Sequence, residues 1–204
     1  MSNWDERYLT DDYVFGTEPN EFIARMRHHF PDSGKALDLA TGEGRNGIFL
    51  AQLGLETEGV DMSAVGLEKA QKLAEEKGVP FTTRIENIAE MEMPSEFYDV
   101  ITSVFCHFAE PERTKVFQRV IGALKPGGLF AGVFYHPEQI AYGTGGPGDP
   151  DMMGTLEEMQ QALEGLEWLV AEYEIKDLAE GCRHVGTSSV VCLLGRKPDT
   201  AEPA

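Results

Sequence analysis

Short apolar runs alternate with amphipathic stretches along most of the chain. ALDLA (36–40), TEGVD (57–61), part of VPFTTRI (79–85), YDVITSVF (98–105) and LFAGVFY (129–135) read as strands. Between them, 45–53, 63–77 and 111–124 carry the spacing of helices. Ser63 is placed to cap the second of these, Gly78 to end it, and KPGG (125–128) to close the third. Strand and helix in turn predict right-handed βαβ units and a parallel sheet covered on both faces.

The flanks depart from that rhythm. Residues 1–34 hold Trp4, Tyr8, Tyr13 and Phe15, too many aromatics for an idle tail, and are expected to form a lid. Thr17 is expected to cap a helix with Glu18 and Pro19 in its first turn, followed by Phe22, Ile23, Met26 and Phe30 at helical spacing. PEQIAYGTGGPGDPDMMG (137–154) is long and rich in Gly and Pro, which marks a functional loop. Thr155 and Glu158 form a capping box for one more helix. Two strands are expected near 167–175 and 187–194, separated by 177–186, and the tail 197–204 is expected to be disordered. No repeat or boundary divides the chain, so residues 1–204 read as one domain, with a core over 35–196.

Charge narrows the partners. The 204 residues carry 17 Lys and Arg against 35 Asp and Glu, a formal net charge of −18 that repels phosphate backbones and anionic lipid. The expected partner is a small molecule, with no nucleic acid and no membrane, for a monomer or weak homodimer in the cytoplasm. Cys106, Cys182 and Cys192 are too scattered for a disulfide framework, and Cys192 in VVCLL reads as core. The five histidines lie in separate elements apart from His28 and His29, and no metal site is expected.

The chemistry centres on GEGRNG (42–47), between the first strand and its helix. It matches the dinucleotide pattern G-x-G-x-x-G, and Asp61 stands nineteen positions on, where it can take ribose hydroxyls. That much fits NAD as well as S-adenosylmethionine. Charge separates the two. NAD puts a pyrophosphate at the helix N-terminus, whereas Asp38 and Glu43 flank that position. Like charges about 4 Å apart oppose each other by roughly 4 kcal/mol at an effective dielectric near 20. A sulfonium and an ammonium suit those carboxylates better, so S-adenosylmethionine is the expected cofactor and an NAD-dependent oxidoreductase the weaker alternative.

ALDLATGEGRN resembles motif I of the class I S-adenosylmethionine-dependent methyltransferases. GVDMS (59–63), FYDVITSVFCHF (97–108) and LKPGGLFAGVFY (124–135) resemble their second strand end, fourth strand and turn into the fifth. YVFGTEPNEF (13–22) and FCH (105–107) are similar to the tellurite-resistance and thiopurine methyltransferase neighbourhood. The resemblance implies a doubly wound, Rossmann-like sheet of seven strands in the order 3-2-1-4-5-7-6, the last antiparallel, with helices on both faces. It also implies S-adenosylhomocysteine as product. Carried over residue by residue, Gly42 and Gly44 admit the methionine part, with Ala40, Thr41 and Asp38 beside it; Asp61 takes the ribose and Met62 lies on the adenine. Asn87 and Ile88 reach the adenine edge, Ser103 and Val104 close the site, and Tyr13, Arg45 and Asn46 complete it. Structural alternatives stand beside these: Asp61 as a helix cap, Met62 as core, Asn87 as a turn residue and Arg45 as a solvated helix residue.

Methyl transfer needs the nucleophile held opposite the sulfonium, and orientation alone supplies roughly 7–11 kcal/mol. The acceptor side is expected to use His107, Arg183 and His184, with Tyr13, Cys106, Tyr135 and His136 around them. Arg183 and His184 form a basic pair in an acidic chain, which predicts a cationic pocket for a thiolate or a metalloid oxyanion; the alternatives are a solvated turn and, for His107, a packing role. A sensor that binds the cofactor without turnover is the other function class, distinguished by the absence of an acceptor cavity.

Overall fold

Asp38 near the carboxyl end of the first strand stands opposite Thr102 on one side and Gly59 on the other, and the sheet grows outward from that register. The computed structural model describes residues 3–199. Its strands are β1 (Lys35–Leu39), β2 (Glu56–Asp61), β3 (Thr82–Ile85), β4 (Tyr98–Val104), β5 (Leu124–Tyr135), β6 (Glu167–Glu180) and β7 (His184–Arg196). They lie in the order β3-β2-β1-β4-β5-β7-β6, parallel except for β7, which runs antiparallel to both neighbours. The helices are α1 (Asn3–Tyr8), α2 (Glu21–Arg25), α3 (Arg45–Gln52), α4 (Ala64–Lys77), α5 (Glu112–Ala123), α6 (Gln139–Tyr142) and α7 (Leu156–Ala162).

Alternation along the central strands builds a separate core on each face. Leu37, Leu39, Ile101, Phe130 and Phe134 face one way and meet Val116, Phe117 and Val120 of α5 and Met159 of α7. Ala36, Val100, Ala131, Val133 and Cys192 face the other way and meet Phe22, Ile23 and Met26 of α2 and the turn after it, with Leu50 of α3. Cys192 is core, as its apolar neighbours predict. No helix among the described residues is long and apolar enough to cross a membrane.

The local signals at 63–78 and 155–158 behave as read. Ser63 accepts from Gly66 N, Gly78 closes α4 in the left-handed region, and Thr155 and Glu158 make a reciprocal capping box. Three readings are corrected. Helix α2 is capped by Asn20, whose side chain accepts from Phe22 N, and not by Thr17; Glu18 precedes a proline and is steered out of the helical region. KPGG belongs to β5, which begins directly after α5. The terminal hairpin is longer than expected, with only Gly181–Arg183 between β6 and β7. The residues added toward the turn are 176–180 and 184–186, and the hairpin is tied to α2 where Glu172 and Glu174 pair with Arg25 and Lys176 pairs with Glu21. Of the tail, 200–204 lies outside the described residues; Lys197 still donates its backbone N–H to Gly128.

The N-terminal segment folds back over α4 and the glycine loop. Ser63 Oγ donates to Asp5 at 2.6 Å, and Tyr8 is buried. Lys69 is the anchor: its Nζ donates to the carbonyls of Thr10 and Asp12 and pairs with Glu43 at 2.5 Å. Both members of that pair are largely buried, and breaking such a pair typically destabilises by several kcal/mol. Lys69→Met is therefore expected to raise amide exchange across residues 3–15 at least tenfold, which needs only about 1.4 kcal/mol. Exchange in β1 and β4 should stay unchanged. Unaltered exchange at 3–15 would mean that the segment is held by its aromatic packing alone.

Candidate active site

The carboxyl ends of β1 and β4 are neighbours, yet their following loops leave the sheet in different directions, the arrangement that opens a crevice in α/β sheets. Ala40 after β1 and Phe105 after β4 both take positive φ, 54° in each case, where non-glycine residues are uncommon. Between them opens a cavity of about 890 Å³, at the upper end of the usual range for ligand sites.

Two buried carboxylates shape the glycine loop that forms its floor. Asp38 accepts from Thr41 Oγ1 at 2.6 Å, Thr102 Oγ1 at 2.7 Å and the Gly47 backbone N–H at 2.9 Å. Burial raises its pKa, and these three donors pull the other way. Asp61 accepts from Gly42 N at 2.8 Å and Ser63 N at 2.9 Å, and burial again raises its pKa. Gly42 has no room for a side chain, since a Cβ there would come within 2.5 Å of the Tyr8 hydroxyl.

The residues expected to bind the cofactor sort into two groups. Ala40, Thr41, Gly42, Arg45, Asn46, Asp61, Met62, Asn87, Ile88 and Val104 line the cavity. Tyr13, Asp38, Gly44 and Ser103 do not. The Tyr13 ring packs beside Ile48 and Leu73, with its hydroxyl donating to Lys69 O at 3.3 Å. Asp38 lies beneath the loop and spends its oxygens inside the protein. Gly44 permits contact with Ala70 of α4, 2.7 Å from where its Cβ would be. Asn87 Oδ1 accepts from Ala89 N, the behaviour of a turn residue; Arg119 fixes the same turn by donating to Met91 O at 3.0 Å. Arg45 is a buried ion-pair partner of Glu180 at 2.7 Å and not a solvated residue.

His107, Arg183 and His184 all line the far end of the cavity, but the expected cationic pocket does not form. His107 is half-buried, with its Nε2 buried and unpartnered. Burial takes its pKa down to about 3, with the nearby His184 acting in the same direction. Burial also lowers the pKa of His184, and Arg45 adds to the effect, while Glu180 opposes it. Arg183 is exposed. Burial pushes Glu180 upward, but His184 and Arg45 outweigh it and hold the carboxyl down to about 2. The chamber wall is thus aromatic, with Arg183 at its exposed edge: Phe105 stacks on Tyr135 at 4.5 Å, and His107 stacks on the same ring at 5.6 Å. Cys106 also lines it, its thiol pushed up to about 12 by burial. Among the described residues, no three His, Cys, Asp or Glu side chains converge as a metal site.

Sequence reasoning passed over Trp4, Tyr8 and Phe15 as individual contacts, and Glu180 altogether. It also left open the role of 143–147, which the structure places over the chamber as part of the Gly143–Gly148 run. Gly145 and Gly146 take φ of +143° and +90°, and a Cβ on either would approach the Tyr135 side chain to about 3 Å. Their glycine pattern was the available signal; nothing local named Tyr135 as its partner.

Residues 36–128 match the family described as methyltransferase domain. An uncharacterized methyltransferase of Synechocystis is 37% identical over 106 residues, which cover 50% of this chain and 47% of that protein. The tRNA 5-carboxymethoxyuridine methyltransferase of Escherichia coli is 28% identical over 52% of this chain and 42% of its own length. The arsenite methyltransferase of Mus musculus is 36% identical over 46% of this chain and 28% of its own length. The chain thus spans less than half the length of these relatives. Among solved structures, TehB from Haemophilus influenzae superposes with a TM-score of 0.70 at 17% identity, over 95% of this chain and 65% of that one. A protein from a study of disulfide-to-thioacetal conversion in echinomycin biosynthesis superposes with a TM-score of 0.75 at 13% identity, over 98% and 92%.

A histidine held neutral by its surroundings makes stability depend on acid. The folded-state pKa of His107 lies below its unfolded value near 6.5, so its contribution is fully present above that pH and is lost as pH falls toward about 3. The melting temperature is expected to drop between pH 7 and pH 5, and His107→Gln to flatten part of that slope. An identical slope in the variant would show that His107 titrates normally in the folded protein.

Proposed function

We propose, for a chain whose residues 36–128 are a methyltransferase domain on the class I S-adenosylmethionine-dependent fold, that the protein moves a methyl group to a small molecule with a soft nucleophilic atom. A thiol or a metalloid or chalcogen oxyanion is the acceptor class. The observation that carries the reading is the single cavity that runs from the glycine loop to the chamber walled by Phe105, His107, Tyr135 and His184. A sensor without turnover has no need of the second half.

The floor fits this cofactor better than a dinucleotide. Asp38 takes the Gly47 N–H at the start of α3, so an internal carboxylate already answers part of the positive end where a pyrophosphate would bind. Asp38 does not line the cavity and acts through the loop, while Glu43 lines it with its charge already answered by Lys69. Asp61 lines the cavity and has lone pairs beyond those given to Gly42 and Ser63, which suits ribose hydroxyls. Met62 is half exposed and Trp4 nearly as much, both on the cavity, and they offer faces for an adenine.

When bound, S-adenosylmethionine supplies a methyl group already activated on a sulfonium. The chain then has to hold, orient and keep dry. Tyr8 and Phe15 of the N-terminal segment cover the cavity beside the hairpin turn, where Cys182 N donates to Val14 O at 2.9 Å. That cover limits competing water. A large polyanionic acceptor is disfavoured by the net charge of −18 and by the roof of residues 143–148. The arsenite acceptor named for the mouse relative agrees with a soft nucleophile; the tRNA acceptor named for the bacterial relative fits this chamber less well.

Calorimetry should give micromolar binding of S-adenosylhomocysteine and none of NAD; the reverse would end the methyltransferase reading. Asp61→Ala should weaken the cofactor by roughly 1.5–3 kcal/mol, about ten- to hundredfold. It should also lower the melting temperature, because Gly42 N and Ser63 N lose their acceptor. A variant with full affinity would reduce Asp61 to a cap. A turnover screen across thiols, arsenite, selenite, tellurite and amines then tests the acceptor class.

A further inference from the structure

The imidazole of His184 is held on three sides. Phe15 and Phe105 pack on it with ring centroids 4.4 Å away in both cases, and Glu180 Oε2 lies 3.6 Å from its Nδ1. That separation exceeds a hydrogen bond, so the carboxylate acts on the ring through its charge. Glu180 is itself fixed, with Arg45 donating to Oε2 at 2.7 Å and Asn20 Nδ2 to Oε1 at 2.7 Å. The other edge of the ring, Cδ2–Nε2, points elsewhere. A Cβ on Gly145 would sit 3.7 Å from His184 Cδ2 and 2.9 Å from Tyr135 Oη. The Tyr135 hydroxyl is 1% exposed as a residue and has no partner. A glycine here therefore keeps a side chain from crowding the part of the cavity wall where a free phenol and an oriented imidazole stand side by side. Arg45, which could otherwise neutralise an anion nearby, is already committed to Glu180.

We propose, resting on the methyltransferase reading, that the cavity beside this wall receives an uncharged acceptor carrying its own proton, a neutral thiol, and that His184, oriented by Glu180, is the group that takes that proton. As the bond from the acceptor sulfur to the methyl carbon forms, the acceptor's S–H bond breaks and its proton passes to His184 Nε2. The electron pair of the broken sulfonium–methyl bond remains on the cofactor's sulfur, which leaves neutral. The imidazolium then faces Glu180 until it returns the proton to water. Tyr135 donates its hydroxyl hydrogen to the acceptor sulfur and positions it. The acidity of a sulfur centre under methylation is high, so a histidine kept weakly basic by burial is sufficient as the receiver.

The groups facing His184 are Glu180 from β6, Arg45 from α3, Arg7 from α1, His107 beyond β4 and Tyr135 from β5. Of these, Glu180 alone favours the imidazolium through its charge. Nuclear magnetic resonance of the S-adenosylhomocysteine complex should place the His184 titration below that of a free histidine, and Glu180→Gln should move it lower still. An unmoved titration in that variant overturns the pairing without any need of an acceptor. With a neutral thiol, the turnover rate should rise with pH along the His184 titration; His184→Asn should lose that limb and about 10²–10⁴-fold in kcat. Tyr135→Phe should raise the KM of the thiol while cofactor affinity stays within threefold. Turnover of selenite or tellurite in preference to neutral thiols, or a pH limb that survives in His184→Asn, refutes the assignment. Failure of the wild-type protein to bind S-adenosylhomocysteine would instead remove the methyltransferase reading beneath it.

Discussion

The carboxylate of Asp38 is the interaction on which the site's geometry depends. One side chain on β1 joins β4 through Thr102, the glycine loop through Thr41 and the start of α3 through Gly47. A buried carboxylate is expensive to hold without partners, and three short hydrogen bonds are what make its place tolerable. The same bonds leave the loop little freedom. Asp61 completes the restraint from β2, because its grip on Gly42 ties the far side of the loop to the next strand. Neighbouring strand ends thus contribute one carboxylate each, and the loop is suspended between them.

The acceptor half has no such central strut and is assembled from distant pieces. Phe15 comes from the N-terminal segment, Phe105 and His107 from the end of β4, Tyr135 from the end of β5, and His184 from the terminal hairpin. Glu180, Arg45 and Asn20 join the hairpin and the N-terminal segment to α3 in one buried cluster. Gln139 does the same for the roof: buried completely, it donates to Thr144 Oγ1 and Gly145 O and accepts from Ser189 N. The chamber therefore exists only once the whole chain has closed. Its walls are set by long-range contacts, where the floor of the cofactor half is set largely by residues within one βαβ unit and its neighbour.

That difference explains what the sequence made legible. Period and capping chemistry are local, so the strands from β1 to β5, the cap at Ser63 and the box at Thr155 could be read directly. The glycine loop could be read for the same reason. Asp38 was recognised as important, but its direction was not, since only the β1–β4 register reveals Thr102 as its partner. Tyr13 and Tyr8 are five residues apart in an irregular segment, and no period says which one faces the cavity. The hairpin was underestimated because its ends nearest the turn hold Asp177, Glu180 and Gly186, residues depleted in strands. Its partners on α2 lie about 150 residues away in sequence. His107, Arg183 and His184 meet at one end of the cavity, and the two histidines are driven toward their neutral form there, because burial decides their charge and burial is a property of the closed fold.

The charge pattern follows from the same closure. A chain with net charge −18 carries few cations to spare, and Lys69 and Arg45, which reach the interior beside the N-terminal segment, are each matched to a buried carboxylate. Neither is left over for an anionic ligand. Both serve to attach the N-terminal segment, Lys69 through the Thr10 and Asp12 carbonyls and Arg45 through the Phe15 carbonyl at 3.2 Å. These two cations are thus spent on covering the cavity, and the buried wall of the acceptor half is left with polarity and little charge: a phenol, two imidazoles and aromatic faces. A site built that way distinguishes ligands by shape and by hydrogen-bond pattern more than by attraction. Its selectivity therefore depends on how rigidly the roof and the hairpin are held.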